Sequence, residues 1–156
     1  MPEIPWTASP DDFDDMWDDK QDLGVPQYVP DMLCTMFAQQ LAHMQAYAAQ
    51  EEDADDSAFL PPEQWGTLVR FRTQAALREN AGYIIEELME AVGLLKNKPW
   101  RQLASPMPEA EFREELADVW HFFIQFHILA GINPLEVFQE YFRKSLINEN
   151  RRENGY

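Results

Sequence analysis

Four carboxylates, arranged as two short pairs, carry the strongest chemical signal in the sequence. Glu87 and Glu90 lie in the stretch EELMEAVG, and Glu115 and Asp118 lie in the stretch EELADVWHFF. Each pair has i, i+3 spacing, which on a helix places both side chains on one face about one turn apart. Carboxylate oxygens are the ligands that hard divalent cations such as Mg²⁺ and Mn²⁺ prefer. The spacing therefore predicts that both pairs contribute ligands to a metal site.

The residues that follow Asp118 distinguish the second pair. The run VWHFFIQFHILAG has no residue that is formally charged at neutral pH, so we expect this helix to be buried on nearly every face. Carboxylates at the end of a buried helix are destabilising unless a cation or hydrogen-bond donors offset their desolvation. Four facing carboxylates would also repel one another, and bound Mg²⁺, with Mn²⁺ as the alternative, would keep them ionised.

Basic residues are few in this chain, and two groups of them stand out. The connection KNKPWRQLASPMP contains Lys98 and Arg101 on either side of Trp100. The other group occupies one face of the last helix, at i, i+4 and i+7 or i+8 spacing, and consists of Lys144, Asn148, Arg151 and Arg152. Metal ions together with a lysine and arginine clamp predict phosphoryl chemistry, in which a water molecule attacks phosphorus.

Four helices are predicted to position these groups. Proline, asparagine and glycine signals place them from Pro30 to about residue 50, from Pro62 to about residue 95, from Pro108 to Gly131, and from Asn133 onward. No segment shows the period-two alternation of a strand. The sequence therefore predicts an all-α, four-to-five-helix bundle in residues 30–156, preceded by an acidic N-terminal arm in residues 1–29.

Composition narrows the class of protein. The chain has 156 residues, of which 46% are hydrophobic, and a net charge of -16. This charge argues against binding to a nucleic-acid polymer or an anionic membrane, and a phosphate ligand would have to arrive with metal. The single cysteine, Cys34, excludes an internal disulfide, and the first residues lack the basic and apolar segments of a signal peptide. We expect a soluble cytoplasmic protein.

Other interpretations of these residues stay open. In a chain with 28 acidic residues, a Glu-x-x-Glu pair is often only a solvated helix face, so a non-catalytic helical module that binds a basic partner is an alternative. His121 could be a metal ligand, a base contact or a hydrogen-bonded core residue. Trp100 could stack on a base or close a loop.

The two acidic pairs, together with the ending YFRKSLINENRRENGY, resemble the all-α nucleoside triphosphate pyrophosphatases of the MazG-like superfamily. The Asp-x-x-His-Phe run at Asp118 and the Gly-Tyr end at Tyr156 are most similar to the dimeric dUTPase branch, which includes the dCTPase/dUTPase of T-even-type phages. The resemblance covers about residues 30–156. It implies hydrolysis of dUTP or dCTP to the monophosphate and pyrophosphate, with two or three Mg²⁺ ions, in a homodimer or tetramer. A phage origin would place the protein in the host cytoplasm.

The resemblance also implies roles for individual residues. The four carboxylates would be metal ligands and catalytic residues, and the phosphates would contact Lys98, Arg101, Lys144, Asn148, Arg151, Arg152 and Tyr156. The base and sugar would contact residues from the first helix, the connection and the third helix, namely Cys34, Gln39, Gln40, Trp100 and His121. Because the first helix departs from the branch at its base-reading glutamine, a purine or modified-base dNTP pyrophosphatase is an alternative.

Overall fold

The computed structural model describes residues 31–49, 60–95, 100 and 106–154, and these contain four α-helices and no strand. The helices are α1 (Asp31–Ala48), α2 (Phe71–Leu94), α3 (Glu109–Ala130) and α4 (Pro134–Asn154). The predicted all-α class is therefore confirmed. The predicted arm, residues 1–29, lies outside the described residues. None of the described helices has both the length and the apolar content that a membrane span requires.

The described residues belong to two compact units. Residues 36–132 form one of them and contain most of α1 together with α2 and α3. Residues 31–35 and 133–154 form the other, which contains α4. The carboxylate pairs predicted from the sequence both lie in the first unit, and most of the basic residues predicted to bind phosphate lie in the second.

Helices α2 and α3 pack against each other in antiparallel directions. Tyr83 of α2 packs against Phe122 of α3 with ring centroids 5.3 Å apart and the ring planes tilted by 39°. Further toward the C-terminus of α2, Glu87 meets residues nearer the N-terminus of α3, which fixes the antiparallel direction. The buried apolar side chains of this unit come from all three helices and the segment before α2, and they are Phe37, Leu60, Ala91, Ile124, Leu129 and Ala130.

The chain before α2 differs from the prediction of one continuous helix from Pro62. Only residues Pro62–Gln64 form a 3₁₀ turn, and α2 begins at Phe71. The helix is interrupted because Gly66 adopts the left-handed conformation, with φ of 75°, and donates its N–H to the Leu129 carbonyl over 2.9 Å. The Trp65 indole N–H is turned back onto the Leu60 carbonyl at 2.8 Å. This segment therefore packs on the end of α3 instead of extending α2.

Both ends of the link between α3 and α4 confirm the predicted cap residues. Gly131 is left-handed, with φ of 75°, and Ile132 donates to the His127 carbonyl at 2.8 Å, which is the hydrogen bond of a Schellman motif. Asn133 and Glu136 then form a reciprocal capping box at the start of α4: each side chain accepts the backbone N–H of the other residue, at 3.0 and 2.8 Å.

The expectation that α3 is buried on nearly every face is wrong. Trp120 is 52% exposed and Phe123 is also exposed, whereas Ile124, Leu129 and Ala130 are buried. The physical reason is that, within residues 36–132, α2 and α1 contact only part of the α3 circumference. Aromatic content alone did not distinguish a central helix from one with an open face.

Candidate functional site

Three of the four predicted carboxylates meet at the α2–α3 contact. Glu87, Glu115 and Asp118 each place one carboxylate oxygen within 4.8 Å of the others. The i, i+3 spacing aligns Glu115 with Asp118 on α3, and the antiparallel packing brings Glu87 of α2 opposite them. Oxygen ligands at these separations suit a hard divalent cation. We call these three residues the acidic cluster.

The charges of the acidic cluster act on one another. Partial desolvation raises the pKa of Glu87 above its ordinary value, and the negative charges of Glu90, Asp118 and Glu115 raise it further. Desolvation likewise raises the pKa of Glu115, followed by the charges of Glu90 and Asp118. Glu90 thus contributes to the field, although its oxygen is not among the three that converge. A bound cation would remove the repulsion and favour the ionised carboxylates.

A hydrogen-bond network joins α1 to α3 beside this contact. Gln40 is 4% exposed and donates its side-chain amide to Gln125 Oε1 at 3.2 Å. The other end of the Gln40 amide, Oε1, lies 2.9 Å from His121 Nδ1, within hydrogen-bond distance. Both ends of the Gln40 amide are therefore engaged by α3. His121 is hydrogen-bonded in this network but exposed, so it is not a core residue, and its role in binding stays a prediction.

A cavity of about 410 Å³ lies between α1, α2, α3 and the segment before α2. Five aromatic rings line it, two from α1, one from the segment before α2 and one each from α2 and α3: His43, Tyr47, Trp65, Tyr83 and Phe122. Its lining includes two carboxamides, from Asn80 and Gln125. We call it the aromatic cavity. Flat rings around a space of this size suit a planar, largely apolar ligand.

Asn80 is the unusual residue of this wall. It is 2% exposed, and neither its side-chain nitrogen nor its side-chain oxygen has a hydrogen-bond partner among the described residues. A buried polar group without a partner destabilises a protein by roughly 1–3 kcal/mol. Most such groups in folded proteins are paired, so the unpaired Asn80 amide requires a physical explanation.

The aromatic cavity and the acidic cluster lie along the same helix contact. Asn80 precedes Glu87 by seven residues, which places them on one face of α2 about 10 Å apart along the axis. Gln125 follows Asp118 by the same number of residues on α3. Tyr83 and Phe122 are the lining residues of the cavity that lie nearest the acidic cluster along α2 and α3. The cavity and the cluster are therefore neighbours on the same helix contact.

The other residues predicted for binding are distributed differently. Lys98, Arg101 and Tyr156 lie outside the described residues. Trp100 is 80% exposed, Gln39 is exposed, and Cys34 is an exposed free thiol in the unit that contains α4. On α4, Lys144, Asn148 and Arg151 share a face as predicted, and Arg152 lies 3.5 Å from Glu149. Their roles stay predictions.

The sequence analysis did not predict the residues that line the aromatic cavity. The nearest predicted residues, Gln40 and His121, are not part of its lining. A signal for them exists, because Asn80 and Tyr83 precede Glu87 by seven and four residues and therefore share its helix face. Phe122 follows Asp118 by four residues and therefore shares its face of α3. Extending each acidic pair along its helix would have located this wall. Trp65 has no such signal, because only the turn at Gly66 brings it there.

Comparison with known proteins gives partial matches. The chain is similar to phage dCTP pyrophosphatases. It is 36% identical over 52 residues to the dCTP pyrophosphatase of Enterobacteria phage T4, a match that covers 33% of this chain and 30% of that protein. It is 30% identical over 105 residues to the dCTP pyrophosphatase of Enterobacteria phage LZ5, which covers 53% of this chain and 61% of that protein.

These matches span less than two thirds of the length of either relative. No family model and no solved structure matches the chain. The similarity to the phage dCTP pyrophosphatases is therefore partial.

Proposed function

We propose that this protein hydrolyses a deoxynucleoside triphosphate to the monophosphate and pyrophosphate, with dCTP and dUTP as the first substrates to test. The observation that carries the proposal is the convergence of Glu87, Glu115 and Asp118. Three ionised carboxylates would repel a triphosphate, so the site requires cations between the protein and the phosphates. The partial similarity to phage dCTP pyrophosphatases supports the same reaction.

The acidic cluster, with Glu90 beside it, would hold the Mg²⁺ ions. Mg²⁺ held by these carboxylates would supply Lewis-acid stabilisation of the charge on the phosphoryl oxygens and would make the attacking water more acidic. The carboxylates orient the attacking water and accept its proton. Its oxygen bonds to phosphorus, the bond to the bridging oxygen breaks, and pyrophosphate leaves with the electron pair. The described residues fit this role because all three converging groups are oxygen donors.

Phosphate contacts in this proposal come from residues predicted from the sequence. Lys144, Asn148 and Arg151 share one exposed face of α4, which suits the binding of an anionic chain of phosphates. Lys98, Arg101, Arg152 and Tyr156 complete the predicted set. A charge change at this face should raise KM for the triphosphate.

We also propose a homodimer. An exposed apolar stripe supports it, formed on α2 at i, i+3, i+4 and i+7 spacing by Ile85, Leu88, Met89 and Val92. Exposed contiguous apolar surface of this kind marks protein interaction sites. The molar mass by light scattering checks this part of the proposal, and a monomer at all accessible concentrations would contradict it.

The decisive test of the reaction is pyrophosphate release from dCTP, dUTP, dTTP, dATP, dGTP and modified-base triphosphates in the presence of Mg²⁺. Glu87→Gln and Asp118→Asn should each reduce turnover by at least 100-fold, about 3 kcal/mol of transition-state stabilisation, while the far-UV spectrum is unchanged. Glu86→Gln is the matched control, because Glu86 is exposed and lies on the same helix outside the acidic cluster.

The same panel distinguishes the alternatives. Turnover of a purine or modified-base triphosphate alone would move the substrate assignment and keep the metal assignment. Equal turnover in the wild-type protein, Glu87→Gln and Asp118→Asn would refute the role of the acidic cluster. If no triphosphate is hydrolysed with Mg²⁺ or Mn²⁺ and neither metal raises Tm with nucleotide present, the non-catalytic interaction module becomes the better description.

A further inference from the structure

We infer that the side-chain amide of Asn80 recognises the polar edge of a nucleobase held in the aromatic cavity. The inference deepens the proposed function and rests on it for the identity of the ligand as a nucleotide. The residue itself was not among those predicted from the sequence to bind the base.

The first step concerns the unsatisfied amide. Asn80 is 2% exposed, its nitrogen and oxygen both lack partners among the described residues, and it lies in the cavity wall. A carboxamide offers one acceptor and one donor side by side. The edges of nucleobases carry a donor and an acceptor next to each other, so one base can pair with both atoms of the amide.

The second step compares Asn80 with the other carboxamides nearby. Gln40 also has a buried amide, but its nitrogen donates to Gln125 and its oxygen accepts from His121. Both polar atoms of the Gln40 amide are therefore engaged by α3. Neither polar atom of the Asn80 amide has such a partner among the residues that the structure describes, so the protein there does not fix its orientation. Of the two buried amides, Asn80 is the one left for a ligand.

The third step concerns the surroundings and the position. Five aromatic rings line the cavity and suit the faces of a planar heterocycle. Asn80 lies two helical turns, about 10 Å, from Glu87 on the same face of α2. A nucleotide with its base at Asn80 would extend its sugar and phosphates past Tyr83 and Phe122 toward the acidic cluster.

The experiment uses deoxynucleosides without phosphate, in buffer with a metal chelator, so that neither metal nor hydrolysis affects the result. Deoxycytidine, deoxyuridine and deoxyadenosine are titrated into the full-length protein by calorimetry and by NMR. We expect binding to the wild-type protein, and a loss of about 10- to 100-fold in affinity in Asn80→Leu, because the hydrogen bonds to the base edge are removed. Gln45→Leu, an exposed residue of α1 outside the cavity, should bind as the wild type does.

A thermal melt separates recognition from structure. Leucine has nearly the shape of asparagine, and replacing an unpaired buried amide with an apolar group should leave Tm unchanged or raise it. Lost affinity with an unchanged or higher Tm supports the inference. Unchanged affinity in Asn80→Leu, or no nucleoside binding to the wild-type protein, overturns it. If the variant does not fold, the Asn80 side-chain NH₂ resonances of the wild type decide, since they must shift when a bound nucleoside is added.

The outcome is distinguishable from failure of the proposed function. If dNTPs are hydrolysed with Mg²⁺ and Asn80→Leu keeps the wild-type kcat/KM for each of them, the reaction stands and the role of Asn80 falls. If nucleosides bind in an Asn80-dependent manner and no triphosphate is hydrolysed, the base site stands and the reaction falls.

Discussion

The close approach of Gly66 and Gly131 allows a sharp test of how the aromatic cavity is built. Both residues have φ of 75°, and a Cβ added to Gly131 would lie 2.6 Å from the Gly66 Cα, closer than real Cβ atoms come. The neighbouring hydrogen bond, from Gly66 N–H to the Leu129 carbonyl, is 2.9 Å long. Because the obstacle is the Gly66 backbone and not a flexible side chain, Gly131→Ala must move the segment that contains Gly66 away from the end of α3.

The expected cost has three parts. The left-handed conformation costs a residue with a Cβ about 1–2 kcal/mol, and displacement of the segment forfeits a hydrogen bond of about 1 kcal/mol. Steric strain of the overpacked contact adds about 1–3 kcal/mol, and the reduced freedom of the unfolded chain returns at most about 1 kcal/mol. We therefore expect a loss of about 3 kcal/mol in the free energy of unfolding, which lowers Tm by about 6–12 °C.

The assay is equilibrium unfolding in urea, followed by circular dichroism, for Gly131→Ala and for Gly93→Ala. A Cβ at Gly93, near the end of α2, meets nothing within 4 Å, so that variant should be neutral or gain up to about 1 kcal/mol. Because Trp65 reaches the cavity through this segment, Gly131→Ala should also weaken nucleoside binding. Equal stability of the two variants would refute the packing of Gly66 on the end of α3.

Two further predictions concern the contacts around the site. Gln40→Met removes two hydrogen bonds, each worth about 1 kcal/mol, and should lower the free energy of unfolding in urea by about 2 kcal/mol. Gln45→Met, at an exposed position of the same helix, should stay within about 0.5 kcal/mol of the wild type; a loss no larger in Gln40→Met would contradict the proposed tie between α1 and α3. The second prediction concerns pH. The pKa values of Glu87 and Glu115 are raised above the ordinary 4.5, so between pH 4.5 and these raised values the folded protein binds more protons than the unfolded chain. The stability that these two groups contribute therefore falls as pH rises through this range, and Tm measured with chelator should fall less steeply with pH in Glu87→Gln than in the wild type. Identical pH profiles would show that repulsion within the acidic cluster has no measurable effect.

Helix boundaries were predictable where a local signal determines them. Pro108, Gly131 and Asn133 act through their own backbone or side-chain hydrogen bonds, so α3 ends and α4 begins where the sequence predicts. The start of α2 was not predictable in this way. Its start depends on the packing of Gly66 on Leu129, a contact between residues more than sixty positions apart.

The sequence by itself determined the all-α class and the pairing of Glu115 with Asp118, because helical periodicity is a local property that places i, i+3 carboxylates on one face. Only the tertiary structure decided that Glu87, and not Glu90, converges with them and that the Asn80 amide has no partner among the described residues. Both depend on which residues of α2 face which residues of α3. That register is set by side-chain packing between distant segments, and spacing along one helix carries no information about it.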